Sequence, residues 1–282
     1  MTDKSPAITM LRWLGKVLPG DFVRTTFYLY AISKPRKWIR TATSGFYRMD
    51  HIYDVIYEAS KKYRGNFSIL EFGTNEGYSF TKILYATKYA KMADRITVHA
   101  FDSFEGMPAA VERSDTNIIT NSVEWIEGQF HGNYEELAEY CGKKYRNYEI
   151  HKGFFEDTIT EKFLERMTES PPILIWIDCD YYSSAKTVLE RLIPHIPSGC
   201  VIYFDEYEWN YGSRFTGEAR LVHEVNMGLF ERNIELVLDT KLSWDSKRVY
   251  RFMRFEGGPY YEIAAPAIPD PSLHRTNDSP LP

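Results

Sequence analysis

Five short runs rich in β-branched and aromatic residues, each closed by a glycine or an acid, constrain this chain more than any other feature. They fall at residues 68–72, 96–101, 148–151, 173–177 and 200–204. Apolar residues at helical spacing cover 52–63, 79–90, 161–167, 184–193 and 217–230. Near-continuous apolar runs are the pattern of strands buried on both faces, and their alternation with helices predicts an α/β fold built on a mostly parallel, doubly wound sheet. Two further runs, 234–238 and 248–255, read as a closing antiparallel pair and bring the sheet to seven strands with helices on both faces. In such a sheet ligands sit beyond the carboxyl ends of the strands. The loops after the runs are therefore where chemistry is expected.

A chain of 282 residues with 44% hydrophobic content suits one large core with appendages. The division expected is a basic helical cap over residues 1–50, a main domain over 51–258 with a lid or insertion at 103–132, and a proline-rich tail over 259–282. The formal net charge of -5 argues against nucleic acid as a partner. Residues 11–48 reverse that balance, with Asp21 as their single acid, and fit either a solvated cap or peripheral contact with a membrane or an anionic glycan. Cys141, Cys179 and Cys200 stand at unrelated spacings, which suits a reducing cytoplasm better than a disulfide framework. No apolar run is long enough for a membrane span.

The first run ends in Glu71-Phe72-Gly73-Thr74-Asn75-Glu76-Gly77. Two glycines in a strand-to-helix turn let backbone approach a ligand closely, and Gly-x-x-x-Gly is not the Gly-x-Gly-x-x-Gly of dinucleotide sites. Asp102 closes the second run, where an acid is placed to accept hydrogen bonds from ribose hydroxyls. The fourth and fifth runs lead into Asp178-Cys179-Asp180 and Asp205-Glu206. Clustered carboxylates repel one another, and a hard divalent cation removes that cost. Magnesium held by Asp178, Asp205 and Glu206 is one reading. The other is that these acids cap helices, with Asp180 foremost in that role. A metal there would lower the pKa of a substrate hydroxyl, with Asp178, Asp180, Tyr182 and His223 as positional candidates for the base.

Taken together these residues resemble the macrocin and mycinamicin O-methyltransferase family, which methylates sugar hydroxyls. The resemblance rests on Glu71-Phe72-Gly73 with Gly77, on Asp102-Ser103-Phe104-Glu105-Gly106-Met107-Pro108, on Gly153 to Thr158, on Asp178 to Ser184, and on Gly199 to Tyr207. It implies a Rossmann-like class I methyltransferase that uses S-adenosylmethionine and magnesium on a small-molecule or glycan acceptor. A homodimer is also implied. Around the cofactor it implies Glu71, Gly73, Thr74, Gly77 and Ser79 at the methionine part, Asp102 with Ser103 and Phe104 at the ribose, and Phe155, Glu156 and Asp157 at the adenine. The chain departs from the family pattern at Cys179, where glycine is usual, and at Glu206, where aspartate is usual. The competing readings are a methyltransferase for a small catechol-like phenol and a catalytically silent module that binds cofactor or glycan.

Overall fold

The computed structural model describes residues 49–244 and 246–264. The basic segment 11–48 and the end of the tail lie outside them. In chain order the elements are helix α1 (Met49–Lys62), strand β1 (Phe67–Phe72), α2 (Tyr78–Tyr89), β2 (Ile96–Asp102), α3 (Tyr134–Lys144), β3 (Tyr148–Lys152), α4 (Phe155–Thr158), α5 (Glu161–Glu169), β4 (Pro172–Ile177), α6 (Tyr182–Leu192), β5 (Val201–Phe204), α7 (Gly217–Asn226), β6 (Ile234–Leu238) and β7 (Arg248–Arg254). The seven strands form one sheet in the order β3-β2-β1-β4-β5-β7-β6. The pairs among β1 to β5 are parallel, while β7 runs antiparallel to both β5 and β6.

Strand periodicity divides the core into two layers. Ile69, Leu174, Trp176 and Tyr203 point to the side covered by α1, α2 and α3. Leu70, Phe72, Ile175, Ile177 and Phe204 point to the side covered by α5, α6 and α7. Both faces are therefore dry, which is why β1, β4 and β5 are buried along their whole lengths. The strand boundaries match the sequence expectation within a residue or so. Helix α3 was not foreseen, because only Leu137 and Cys141 of its eleven residues are buried and the rest is charge-rich. Such a helix carries too thin an apolar stripe to register as periodic.

Residues 103–132 contain one short 3₁₀ turn, Arg113–Asp115, and are otherwise irregular. The segment is fastened at several points. Buried Asp115 accepts the Ser183 N–H at 3.0 Å, and its second oxygen accepts the Val111 and Glu112 N–H groups. Tyr181 donates its hydroxyl to the Trp125 carbonyl at 2.6 Å, and Trp209 donates its indole N–H to Glu124 at 2.7 Å. The first turn of α6 is thus served by Asp115 from a distant segment. This corrects the expectation that Asp180 caps that helix, since the residue preceding it is Tyr181 and no side chain of the helix's own approach makes a capping bond. Asp115→Ala removes three acceptor contacts at once, and we expect a loss of about 1–3 kcal/mol in stability together with cleavage within 103–132 in limited proteolysis before the sheet unfolds.

Candidate active site

Backbone pairing sets the site's dimensions. The Gly73 N–H donates to Phe101 O, the Asp178 N–H to Phe72 O, and the Asp205 N–H to Ile177 O. The residues that follow the last paired position of β2, β1, β4 and β5 are held in one row by these bonds, with Asp102 at one end and Asp205 at the other. Three strand spacings of about 4.8 Å separate those ends, roughly 14 Å in all. A cavity of about 640 Å³ opens above the row, within the range of cofactor-sized sites. Its lining includes Gly73, Thr74, Ser79, Asp102, Ser103, Phe155 and Glu156 on one side, and Asp178, Asp180, Asp205 and Glu206 on the other.

On the first side, Gly73 has φ of 89°, and a Cβ there would collide with the Asp178 carbonyl. Gly77 also has positive φ and begins α2, where a Cβ would strike Leu137. Gly77 shapes the turn from behind and does not line the cavity. Asp102 accepts the Asn75 N–H at 2.7 Å and the Phe104 N–H at 2.6 Å, tying the β1 and β2 exits together. A carboxylate offers about four acceptor sites, so two of them stay available to a ligand. Glu71 lies fully buried beneath the turn, taking a hydrogen bond from Ser79 through one oxygen while the other has no partner in the protein. The buried Thr74 hydroxyl is likewise without a protein partner at the cavity wall.

Besides Glu71 beneath the turn and Gly77 behind it, two more of the expected cofactor residues lie outside the lining. Phe104 is buried against Tyr134 in the core, with φ of 56°, and turns away from the cavity. Asp157 lies on α4 outside the lining, while Phe155 and Glu156 belong to it. Phe155 packs edge-on against Phe72, which sets its ring at the end of β1.

The second side is strongly acidic. Asp205 is buried, accepts the Tyr203 hydroxyl and forms an ion pair with the ammonium of buried Lys247, which also stands 3.7 Å from Glu206. Asp178 accepts the Trp176 indole N–H at 3.4 Å. Trp176 and Tyr203 stack at 3.5 Å below the two acids they support. Glu218, at the start of α7, is fully buried, accepts the Glu206 N–H at 3.0 Å and leaves its other oxygen without a protein partner. Burial, and then the neighbouring carboxylates, push Asp178 and Glu218 well above the carboxylate range. The same causes raise Asp180 to about 8. Burial also raises Glu206, against the pull of Lys247. Five acids therefore share one ammonium.

Sequence reasoning missed Glu218, Lys247 and Asp115. Glu218 reads as an ordinary first-turn acid and Lys247 as a solvated loop lysine. A signal for the supporting aromatics was present, since Trp176-x-Asp178 and Tyr203-x-Asp205 place each aromatic on its acid's face of the strand. Tyr182 is corrected as a candidate base: it is fully buried, donates its hydroxyl to Glu224 at 2.6 Å and does not reach the cavity. His223 lies on α7, away from the lining. Asp178, Asp205 and Glu206 share a wall, but Glu206 is turned toward Lys247. Among the described residues, the trio of ligand atoms that converges within 4.8 Å is His99, Glu149 and His151, outside the cavity.

Burial raises Glu71 from 4.5 to about 8, offset in part by the Ser79 hydrogen bond and reinforced by Asp102. A carboxyl with a raised folded-state pKa binds more protons in the native than in the unfolded chain, so its contribution to stability is complete below about pH 4.5 and is lost as pH rises through about 8. Glu71→Gln keeps an acceptor for Ser79 and cannot ionise. The ligand-free variant is expected to melt above the wild type at pH 9 and to lose that margin at pH 5, as read by thermal unfolding across that range.

Residues 70–207 match the family model for a methyltransferase domain. A comparison with curated proteins gives no match. Among solved structures, a calicheamicin methyltransferase is 18% identical, with 89% of this chain and 93% of that chain covered at a TM-score of 0.54. The O-methyltransferase NovP is also 18% identical, with 75% of this chain and 82% of that chain covered at a TM-score of 0.55. An apo structure of that same calicheamicin enzyme, CalS11, described as a TDP-rhamnose 3'-O-methyltransferase, is 16% identical, with 89% and 95% covered at a TM-score of 0.50. The strand order with its antiparallel close, the glycine turn at the end of β1 and these likenesses give the chain the Rossmann-like fold of class I methyltransferases, with a methyltransferase-domain match over residues 70–207.

Proposed function

We propose that the protein is an O-methyltransferase that moves the methyl group of S-adenosylmethionine to a hydroxyl of a sugar, in a glycan or a glycosylated small molecule, with magnesium bound beside the acceptor. The observation that carries this reading is the one cavity in which the glycine turn and Asp102 face the strand-end acids. One protein of similar fold, CalS11, is described both as a calicheamicin methyltransferase and as a TDP-rhamnose 3'-O-methyltransferase, which supports the sugar as acceptor class.

The residues present suit both groups. Glu71 and Thr74 leave buried polar atoms unpartnered under the cavity, as a site for the ammonium end of a cationic ligand requires. The opposite wall sets four carboxyl groups beside Cys179, and a hard cation bound there would draw off the protons that burial and mutual repulsion keep on Asp178 and Asp180. Lys247 and Tyr203 orient Asp205 from the buried side, as outer partners of a ligating carboxylate do. When bound, S-adenosylmethionine supplies an electrophilic methyl group and magnesium supplies the Lewis acidity that lowers a hydroxyl's pKa.

The chain's own residues do the rest. Asp102 and Ser103 hold the ribose, Phe155 and Glu156 border the adenine, and Glu71, Gly73, Thr74 and Ser79 form the methionine end. Asp178, Asp205 and Glu206 would hold the cation. Asp180 lines the cavity on the acidic wall and would receive the hydroxyl proton. The two walls would hold cofactor and acceptor side by side, which would remove much of the entropic cost of bringing them together.

Calorimetric titration of S-adenosylhomocysteine, with and without magnesium, tests the cofactor half of this reading. Asp102→Ala is expected to weaken binding at least about tenfold, since it loses a charge-assisted hydrogen bond worth roughly 1.5–3 kcal/mol. Asp178→Ala is expected to leave that binding near wild type. Absence of binding by the folded wild type overturns the assignment. With nucleotide sugars and phenols as acceptors, Asp180→Asn is expected to lower turnover by about 10²–10⁴ at unchanged cofactor affinity, and methylation confined to phenols would replace the sugar reading.

A further inference from the structure

We infer that the β2–β3 edge carries a second, structural metal site: His99, Glu149 and His151 bind one divalent transition ion of the zinc type. The β2–β3 register pairs His99 with Glu149 and Phe101 with His151. Period-two alternation then puts all three side chains on the same face. His99 Nδ1 and His151 Nε2 lie 3.1 Å apart, and Glu149 Oε2 lies 3.7 Å from the first and 3.8 Å from the second.

A hydrogen-bonded cluster accounts for only one of these distances. The two imidazoles can share a proton at 3.1 Å, but separations of 3.7 and 3.8 Å leave the carboxylate oxygen out of hydrogen-bond reach of either ring. A coordination polyhedron accounts for all three. The point equidistant from the three atoms in their own plane lies about 2.1 Å from each, inside the zinc–nitrogen and zinc–oxygen range of about 2.0–2.2 Å. Displacing the ion slightly from that plane toward a fourth ligand lengthens the bonds by less than about 0.1 Å, so a three-residue site completed by water is geometrically complete.

The surroundings suit such an ion. His99 is buried, and burial lowers both imidazoles from their ordinary value, leaving them neutral with lone pairs to give. Arg166 of α5 grips Glu149 through both carboxylate oxygens, Nη1 standing 3.1 Å from Oε2, and so fixes the carboxylate's orientation. Its charge also weakens the attraction for a cation, which makes this a site for nitrogen ligation and not for magnesium or calcium. The rings are locked as well. His151 stacks on Phe101 at 4.2 Å, Phe101 on Phe72 at 4.7 Å, and Phe163 closes on His99 and His151 edge-on. Phe72 in turn bears Phe155 of the cavity wall. An ion here pins the edge strand β3 to β2 and stiffens the ring stack beneath the proposed adenine pocket.

Cobalt and zinc themselves are the probes. The full chain, stripped with chelator and titrated with Co²⁺, is expected to give the visible absorption bands of a low-coordinate nitrogen and oxygen site at one equivalent, displaced by Zn²⁺. His151→Asn and Glu149→Gln are both partly exposed changes, and each is expected to lower Zn²⁺ affinity at least about tenfold with the far-ultraviolet circular dichroism unchanged. Asp178→Asn is expected to leave the bands intact. A folded wild type that gives no bands and retains no zinc overturns the site and leaves a histidine pair joined by one hydrogen bond. Bands that survive His151→Asn and vanish in Asp178→Asn overturn it equally, by placing the ion at the strand-end acids.

Discussion

Everything at the active end of this protein depends on how closely the exit of β1 approaches the exit of β4. Gly73 touches the Asp178 carbonyl so tightly that no side chain fits between them. The backbone bonds from Gly73 to Phe101, from Asp178 to Phe72 and from Asp205 to Ile177 extend that contact into a rigid row across four strands. Both halves of the site are thereby built on sheet backbone. The separation of the Asp102 wall from the acidic wall is fixed by strand spacing, which no loop rearrangement can alter. Reaction geometry that must hold within fractions of an ångström is best carried on such elements.

That rigidity has an electrostatic cost, because it presses carboxylates together in a place with little water. Asp205 is compensated by Lys247 and Tyr203, whereas Asp178, Asp180, Glu206 and Glu218 are all raised in pKa and Glu218 keeps an unpartnered oxygen. Helix capping explains the strand-end acids poorly: Asp115, from another segment, supplies the side-chain acceptor at the start of α6, and Asp178, Asp180, Asp205 and Glu206 line a cavity, while Glu218 stands in the first turn of α7. Carboxyl groups kept protonated by crowding on a dry scaffold give up their protons to a cation, which favours cationic ligands. The arrangement suits both a divalent ion and the sulfonium and ammonium groups of the proposed cofactor.

The fold was legible because its strands are buried on both faces, so that their sequences are short unbroken apolar runs, and because each run stops where charge or glycine begins. Helix α3 was not legible, since it touches the core through Leu137 and Cys141 and is otherwise solvated. The acids at the strand ends and the glycine turn were legible for the same reason as the strands: they are contiguous with the runs. The partners that set their behaviour are remote in the chain. Glu218 reaches Glu206 across 12 positions, Lys247 reaches Asp205 across 42, and Asp115 reaches Ser183 across 68. Only the fold brings them together, and their local sequences resemble any exposed turn. Tyr182 shows the converse failure. It follows the acidic motif directly, yet helix geometry turns it into the core beside Glu224.

Acceptor choice, under the proposed function, rests with what is not sheet. Residues 103–132 lack regular structure beyond one turn, but they contribute Met107, Pro108, Val111, Glu112 and Phe130 to the cavity. Asp115 anchors this segment to α6, and the segment also bonds Asn210, which accepts the Ile118 N–H at 3.2 Å and donates to the Thr116 carbonyl at 3.1 Å. Phe130 and Val111 are exposed, with no packing role that would hold their identities. A wall fastened by buried polar bonds at its roots and free of core packing at its tips tolerates changes of shape without disturbing the row of strand ends behind it. The division of labour follows from burial: the sheet edge fixes the transfer geometry, and the fastened loop is where recognition of a particular hydroxyl is built.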